Sequence, residues 1–246
     1  MEKCLSPGST NARQTMLDAQ RRYFATRRPI RMLAKDTPYV RRHVAEVIAA
    51  GRLRVGETVS EWGAGLGRFS RPLAARGFEV HAIELSPSQA KECREELRPW
   101  PEATVDVGDI LDVLSRSERR FDAVVGFFTL HHLTSLPDYF AAAAGCLKPG
   151  GRLVFTEPNP WNPLFPLQIT LTPGMRWGEE SGIYALWPGQ VRRTATAAGF
   201  RAVRIQYYGA LPRASYNALG RWGRERIVEP LIPARLKPFQ TIVASL

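Results

Sequence analysis

The sequence predicts a doubly wound α/β fold, a mostly parallel sheet with an antiparallel closing strand, plus N-terminal helices and an inserted cap. Three observations predict it. Helix-like and strand-like segments alternate from residue 36 to residue 158, as parallel strands joined by crossover helices do. Segments such as "FDAVVGFF" (121–128) are apolar almost without interruption, as strands covered on both faces must be. A glycine-rich turn, "EWGAGLG" (61–67), follows the first strand and precedes a helix, an arrangement that presents free backbone N–H groups to a polar ligand.

The elements follow in order. "DTPYVRRHVAEVIAAG" (36–51) offers Thr37 as N-cap, Pro38 at the first helical position and Gly51 at its end, and so reads as a helix. "ETVSEW" (57–62) is a short strand, "RFSRPLAARG" (68–77) the helix behind the glycines, and "FEVHAIEL" (78–85) the second strand. "SPSQAKECREELRPW" (86–100) repeats the cap-proline-helix signal and stops before Pro101. "ATVDVGD" (103–109) is the third strand, "FDAVVGFF" the fourth, "LPDYFAAAAGCL" (136–147) a helix, and "GGRLVFTEP" (150–158) the fifth strand, after the turn Lys148-Pro149-Gly150-Gly151. Beyond Glu157 the prolines and aromatics are too dense for a crossover, which marks an inserted cap. "PGQVRRTATAAGF" (188–200) and "FRAVRIQYYG" (200–209) resume helix and strand, and "PFQTIVASL" (238–246) closes the sheet. The expected divisions are an N-terminal helical cap at 1–55, a core at 56–157, the inserted cap at 158–187, and a C-terminal part of the core at 188–246 with a basic insertion at 210–237.

No segment reaches the roughly 18 consecutive apolar residues of a membrane span, and the first 15 residues are polar, so the expectation is a soluble, cytoplasmic protein. Cys4, Cys93 and Cys146 are too few and too widely spaced for a disulfide framework or zinc knuckle, and no metal is expected. The net charge of +11 is unevenly spread: 12 Lys/Arg against 4 Asp/Glu in residues 1–55, 12 against 17 in 56–187, and 10 against 2 in 188–246. Basic flanks favour an anionic partner, although solvated arginine faces would give the same count.

The turn itself reads Glu61-x-Gly63-x-Gly65-x-Gly67, with Ala64 between the first two glycines. Arg68 stands where the dinucleotide-binding spacing would need its third glycine. An acidic strand end beside open N–H groups suits a zwitterionic head, the acid facing an ammonium and the N–H groups a carboxylate. These residues resemble motif I of the class I S-adenosylmethionine-dependent methyltransferases. The resemblance covers residues 35–158 and implies a Rossmann-like core that binds S-adenosylmethionine and releases S-adenosylhomocysteine. It implies that Glu61, Gly63, Ala64, Gly65 and Gly67 hold the methionine portion. Glu84, with Leu85 behind it, would take the ribose hydroxyls; Asp109 and Ile110 would hold adenine; and Phe127 would lie against the cofactor. A tight turn, a solvated strand end and a helix cap are the respective structural alternatives for the glycines, Glu84 and Asp109. Trp62 is expected in the core.

Methyl transfer from a sulfonium is an in-line displacement, for which positioning supplies most of the catalysis. Where a base is needed, His131 and His132, expected to begin the helix after the fourth strand, are the candidates, and Tyr23 is a candidate to reach over the cofactor. His43 and His81 read as structural. Trp161, Phe165, Trp177, Tyr184 and Trp187, with the flanking arginines, suit a small, hydrophobic acceptor with an acidic group, or else they form the cap's own core. Arg27 and Arg28 are expected to meet the acceptor's charge. Methylation of RNA or membrane lipid through the basic flanks, and a non-catalytic cofactor-binding regulator, remain as alternatives. The sequence "GFFT" after the fourth strand, where many nucleic-acid methyltransferases carry "NPPY", argues against nucleic acid. A monomer or homodimer is expected.

Overall fold

The computed structural model describes residues 33–171, 177–210 and 225–246, together with Thr15, Leu17, Asp18, Arg21, Tyr216 and Asn217. Seven strands form one sheet: β1 (Thr58–Trp62), β2 (Glu79–Glu84), β3 (Thr104–Val107), β4 (Phe121–Phe127), β5 (Leu147–Pro158), β6 (Ala202–Tyr208) and β7 (Phe239–Ser245). Their order is β3-β2-β1-β4-β5-β7-β6. Strands β1 to β5 pair in parallel, and β7 runs antiparallel between β5 and β6. The expected closing strand therefore inserts beside β5 and leaves β6 at the edge, where its residues alternate between exposed and half-buried.

Local chemistry sets the helices. Helix α1 (Pro38–Gly51) begins where Thr37 accepts a hydrogen bond from Val40 N, with Pro38 in the first turn. Helices α2 (Ser70–Ala74), α3 (Pro87–Leu97), α4 (Ile110–Ser115) and α5 (Leu136–Cys146) follow the first four strands. Helix α2 is shorter than the sequence pattern suggests, because after Ala74 the chain tightens into turns that end at Gly77. The cap holds α6 (Leu164–Leu171) and α7 (Trp177–Glu180), and α8 (Pro188–Ala197) returns to the sheet. A short α9 (Glu225–Val228) precedes β7.

Two apolar layers cover the sheet. Val44 and Val47 of α1, Leu73 of α2 and Cys93 and Leu97 of α3 pack with Val59 and Val125 on one face. Tyr139, Phe140 and Ala143 of α5 and Val191 and Ala195 of α8 pack with Trp62 and Phe155 on the other. Trp62, completely buried, meets Tyr139 and Phe155 edge-on, as expected of a core residue. Full burial of such a ring contributes about 3 kcal/mol or more. Cys93 and Cys146 are free, buried thiols, both pushed up to about 12 by burial. No described helix is long and apolar enough to cross a membrane.

Candidate functional site

A cavity of about 190 Å³ opens over the carboxyl ends of β1, β2 and β4, where the order of crossovers reverses and a doubly wound sheet offers its binding crevice. Gly63, Ala64 and Gly65 form one wall; Glu84 and Leu85 from the end of β2, Asp109 and Ile110 from the β3–α4 turn, and Phe127 from β4 complete it. Glu61 and Gly67, the other two residues expected to hold a cofactor, do not line it.

The glycines are needed for their backbone. Gly63 and Gly65 adopt φ of +70° and +58°, a region costly for residues with a Cβ. A Cβ on Gly63 would also lie 2.5 Å from Thr129 Cγ2, whereas one on Gly65 would meet only Gln89, at 3.5 Å. The bend aims Gly65 N at Glu84 Oε2 (2.8 Å), while Glu84 Oε1 accepts from Ser86 N (2.8 Å). Burial raises the Glu84 pKa, and the backbone donors of Ser86, Gly65 and Leu85 act against that rise.

Glu61 lies fully buried near the end of β1. Burial pushes its carboxyl up to about 8, opposed by a hydrogen bond from Ser70 and reinforced by the Glu84 charge. Its Oε2 has no hydrogen-bond partner among the described residues. A protonated acid with one unused oxygen is ready to ionise beside an incoming cation.

Asp109 caps a helix, the structural alternative that the sequence offered, and its other oxygen reaches the cavity wall. Its Oδ1 caps α4 by accepting from Leu111 N (3.0 Å), and its Oδ2 accepts from Tyr139 OH (3.1 Å) at the cavity wall. Tyr139 and Gln89 escaped the sequence reading. Tyr139 lies in the first turn of the helix after β4, and that position was the available signal. Phe127 stacks on Phe69, with centroids 4.2 Å apart and planes 9° from parallel. Phe128, also on the wall, has φ of +57°. The left-handed turn, strained for a phenylalanine, points successive rings apart, Phe127 onto Phe69 and Phe128 into the aromatic cluster of Tyr39, Tyr208, Tyr216 and Phe239.

The two histidines separate. They lie in a 3-10 turn (Leu130–His132), not at the start of α5, because Pro137 has no N–H for the Leu133 carbonyl and the turn cannot run on as helix. His132 lines the cavity; His131 does not. His131 Nδ1 lies 2.5 Å from Glu157 Oε2, and Nε2 lies 3.3 Å from Glu180 Oε2 on the cap. Burial opposes its charge, but Glu157 and then Glu180 outweigh it and raise the pKa to about 9. Both ring nitrogens thus face carboxylates, and neither is turned toward the cavity. Glu157 Oε1 also accepts from Thr129 N (2.9 Å) and Leu130 N (2.7 Å), which fixes the wall facing Gly63. His43 is buried, with Nδ1 against Tyr208 OH, and His81 bonds Thr104 and Glu79, so both have structural places.

Tyr23, Arg27 and Arg28 lie outside the described residues. Leu17, from the same N-terminal region, lines the cavity. None of the aromatics expected of the cap lines the cavity: Phe165 packs with Ile169 and Ile183 in a small core, and Trp177 and Tyr184 are exposed. Trp161 meets Trp187 edge-on at 4.3 Å, with Arg235 over its ring at 4.6 Å. Among the described residues that line the cavity, the arginine is Arg68, whose guanidinium lies over Tyr39 (5.0 Å) and Phe69 (4.8 Å).

Comparison with known proteins agrees with this geometry. Residues 60–155 match the family described as methyltransferase domain. A demethylmenaquinone methyltransferase of Tropheryma whipplei is 34% identical over 104 residues, 42% of each chain. A ubiquinone biosynthesis O-methyltransferase of Xanthomonas axonopodis is 30% identical over 125 residues, 50% of this chain and 52% of that one. The chain thus spans about half the length of the curated relatives it matches. Among solved structures, a SAM-dependent methyltransferase from Archaeoglobus fulgidus superposes with a TM-score of 0.62 at 17% identity, over 84% of this chain and 94% of that one. Phosphoethanolamine N-methyltransferase 2 of Haemonchus contortus, in complex with S-adenosyl-L-methionine, gives 0.59 at 18% identity over 83% and 52%. Residues 60–155 are thus similar to the methyltransferase domain family, and the sheet has the fold of these solved methyltransferases.

Proposed function

We propose that this chain binds S-adenosylmethionine in the cavity beside the glycine turn and transfers its methyl group to a small molecule. One observation carries the reading: Gly65 N, the Glu84 carboxylate, Asp109 and the Phe127 ring converge on a single cavity at the switch point of the sheet. The chemistry fits the cofactor's parts. Glu61, with its unused buried oxygen, suits the ammonium; Glu84 suits a pair of vicinal hydroxyls; Asp109 suits the exocyclic amine of adenine, with Ile110 covering the ring.

When bound, the sulfonium supplies an activated methyl group. The chain's own residues then hold the acceptor in line and exclude water. Phe127, Phe128 and Leu133 give the acceptor side an apolar wall, and Arg68 adds a cation there. An apolar acceptor with an acidic group or ionisable hydroxyl fits that combination, and the quinone-related names of the relatives favour the same class.

Incubation with methyl-labelled S-adenosylmethionine and a host extract, followed by fractionation, tests the reading. Label in the small-molecule fraction is expected. Label confined to RNA, protein or membrane lipid would overturn the acceptor class, and no transfer to any fraction would overturn the activity.

A further inference from the structure

The geometry points to a divalent transition-metal site formed by His131, His132 and Glu180, where the cap meets the acceptor side of the cleft. One ligand atom from each of these residues can be chosen so that all three lie within 4.8 Å of one another. His131 Nε2 and Glu180 Oε2 are 3.3 Å apart, about the edge of a tetrahedron whose centre lies 2.0–2.2 Å from nitrogen and oxygen ligands. The imidazole rings of His131 and His132 are 3.9 Å apart. Two imidazoles and one carboxylate with a remaining open position are the donor set of catalytic zinc and of other first-row divalent ions.

Two further features make this a built site. His131 presents Nε2 because Nδ1 is held by Glu157 Oε2, an acid that is itself fixed by two backbone N–H groups; a carboxylate behind a histidine is how metal-binding rings are oriented. The cap is also shaped to arrive there. A Cβ on Gly182 would overlap the His131 carbonyl oxygen, so only glycine lets the turn after α7 approach closely enough to deliver Glu180. No local sequence pattern signals this site, since Glu180 lies 48 residues beyond His132.

Binding replaces the proton between His131 Nε2 and Glu180 with the cation, and that proton leaves to solvent. His132 lines the cavity, so an ion held by this set borders the acceptor side of the cleft. There the ion lowers the pKa of an acceptor hydroxyl, which selects an oxygen acceptor. This last step rests on the proposed methyl transfer; the binding of the ion does not.

Calorimetry with Zn2+, and absorption spectra with Co2+ as its visible substitute, test the site on the full chain, alongside a titration with S-adenosylhomocysteine. The expected result is one ion per chain, four-coordinate Co2+ bands, and at least a tenfold loss of Zn2+ affinity in Glu180→Ala and in His132→Ala, with S-adenosylhomocysteine affinity within threefold of wild type in Glu180→Ala. If Glu180→Ala fails to fold, Glu180→Gln retains the hydrogen bond to His131 and is expected to show the same loss. Equal Zn2+ affinity in wild type and both Glu180 variants, or no stoichiometric binding to wild type, would overturn the site. Failure of S-adenosylhomocysteine to bind while Zn2+ binds would overturn the methyltransferase reading and leave the cation site standing.

Discussion

The two ends of this sheet use backbone and side chain in opposite ways. At β1 and β2 the chain is bent so that backbone and a buried acid line a cavity: Gly63 and Gly65 accept left-handed angles and Gly65 N meets Glu84, while Glu61 lies buried behind the wall with one oxygen unpartnered among the described residues. Over β5 and β7 the side chains fill the space themselves, with Trp161 against Trp187 and Arg235, and Phe165 against Ile169 and Ile183. A binding wall made of backbone tolerates little change at a few positions. A wall made of side chains can be repacked, which is where a fold shared by many methyltransferases can change acceptors.

Substitutions break the comparison in order of size. Gly65→Val, forcing a β-branched residue into φ of +58°, is expected to lower S-adenosylhomocysteine affinity at least 100-fold while costing about 1–2 kcal/mol of stability. Calorimetry and thermal denaturation of the same sample check both halves of that statement. Glu84→Ala deletes the acceptor for Gly65 N and Ser86 N; at about 1.5–3 kcal/mol for a charged hydrogen-bonded group, a 10- to 100-fold loss of affinity is expected.

A subtler effect concerns Glu61. Its pKa is raised to about 8 in the fold from an ordinary 4.5, so between those values the folded chain holds a proton that the unfolded chain has released. Stability therefore falls as pH rises through that window, by at most about 1.4 kcal/mol per pH unit. Glu61→Gln is expected to flatten the dependence of melting temperature on pH between 5 and 8; an unchanged slope would show that Glu61 is already ionised. Smallest of all, Trp161→Ala is expected to leave S-adenosylhomocysteine affinity within twofold and to raise the acceptor KM several-fold.

Much of the glycine-turn half was legible because its signals are local. Three alternating glycines, an acid at each strand end and Thr37 before Pro38 each act within a few residues, and the structure places them at the expected turns. The histidines show where local reading stops. Adjacent in sequence, His131 and His132 look equivalent, yet one is locked between Glu157 and Glu180 and the other faces the cavity. The distinction is made by residues 26 and 48 or 49 positions away. Tyr139 was missed for a similar reason, since its hydroxyl finds Asp109 only after α5 packs beside α4. The cap aromatics were weighed both as acceptor wall and as internal core, and only the contacts favour packing among themselves.

The central claim is that the bent glycine turn, Glu84 and Asp109 form one binding site for S-adenosylmethionine. Calorimetric titration of the wild-type chain and of Gly65→Val with S-adenosylhomocysteine tests it most directly. The account predicts micromolar, one-to-one binding to the wild type and none to a folded Gly65→Val. Equal binding by both, or no binding by either, would contradict it.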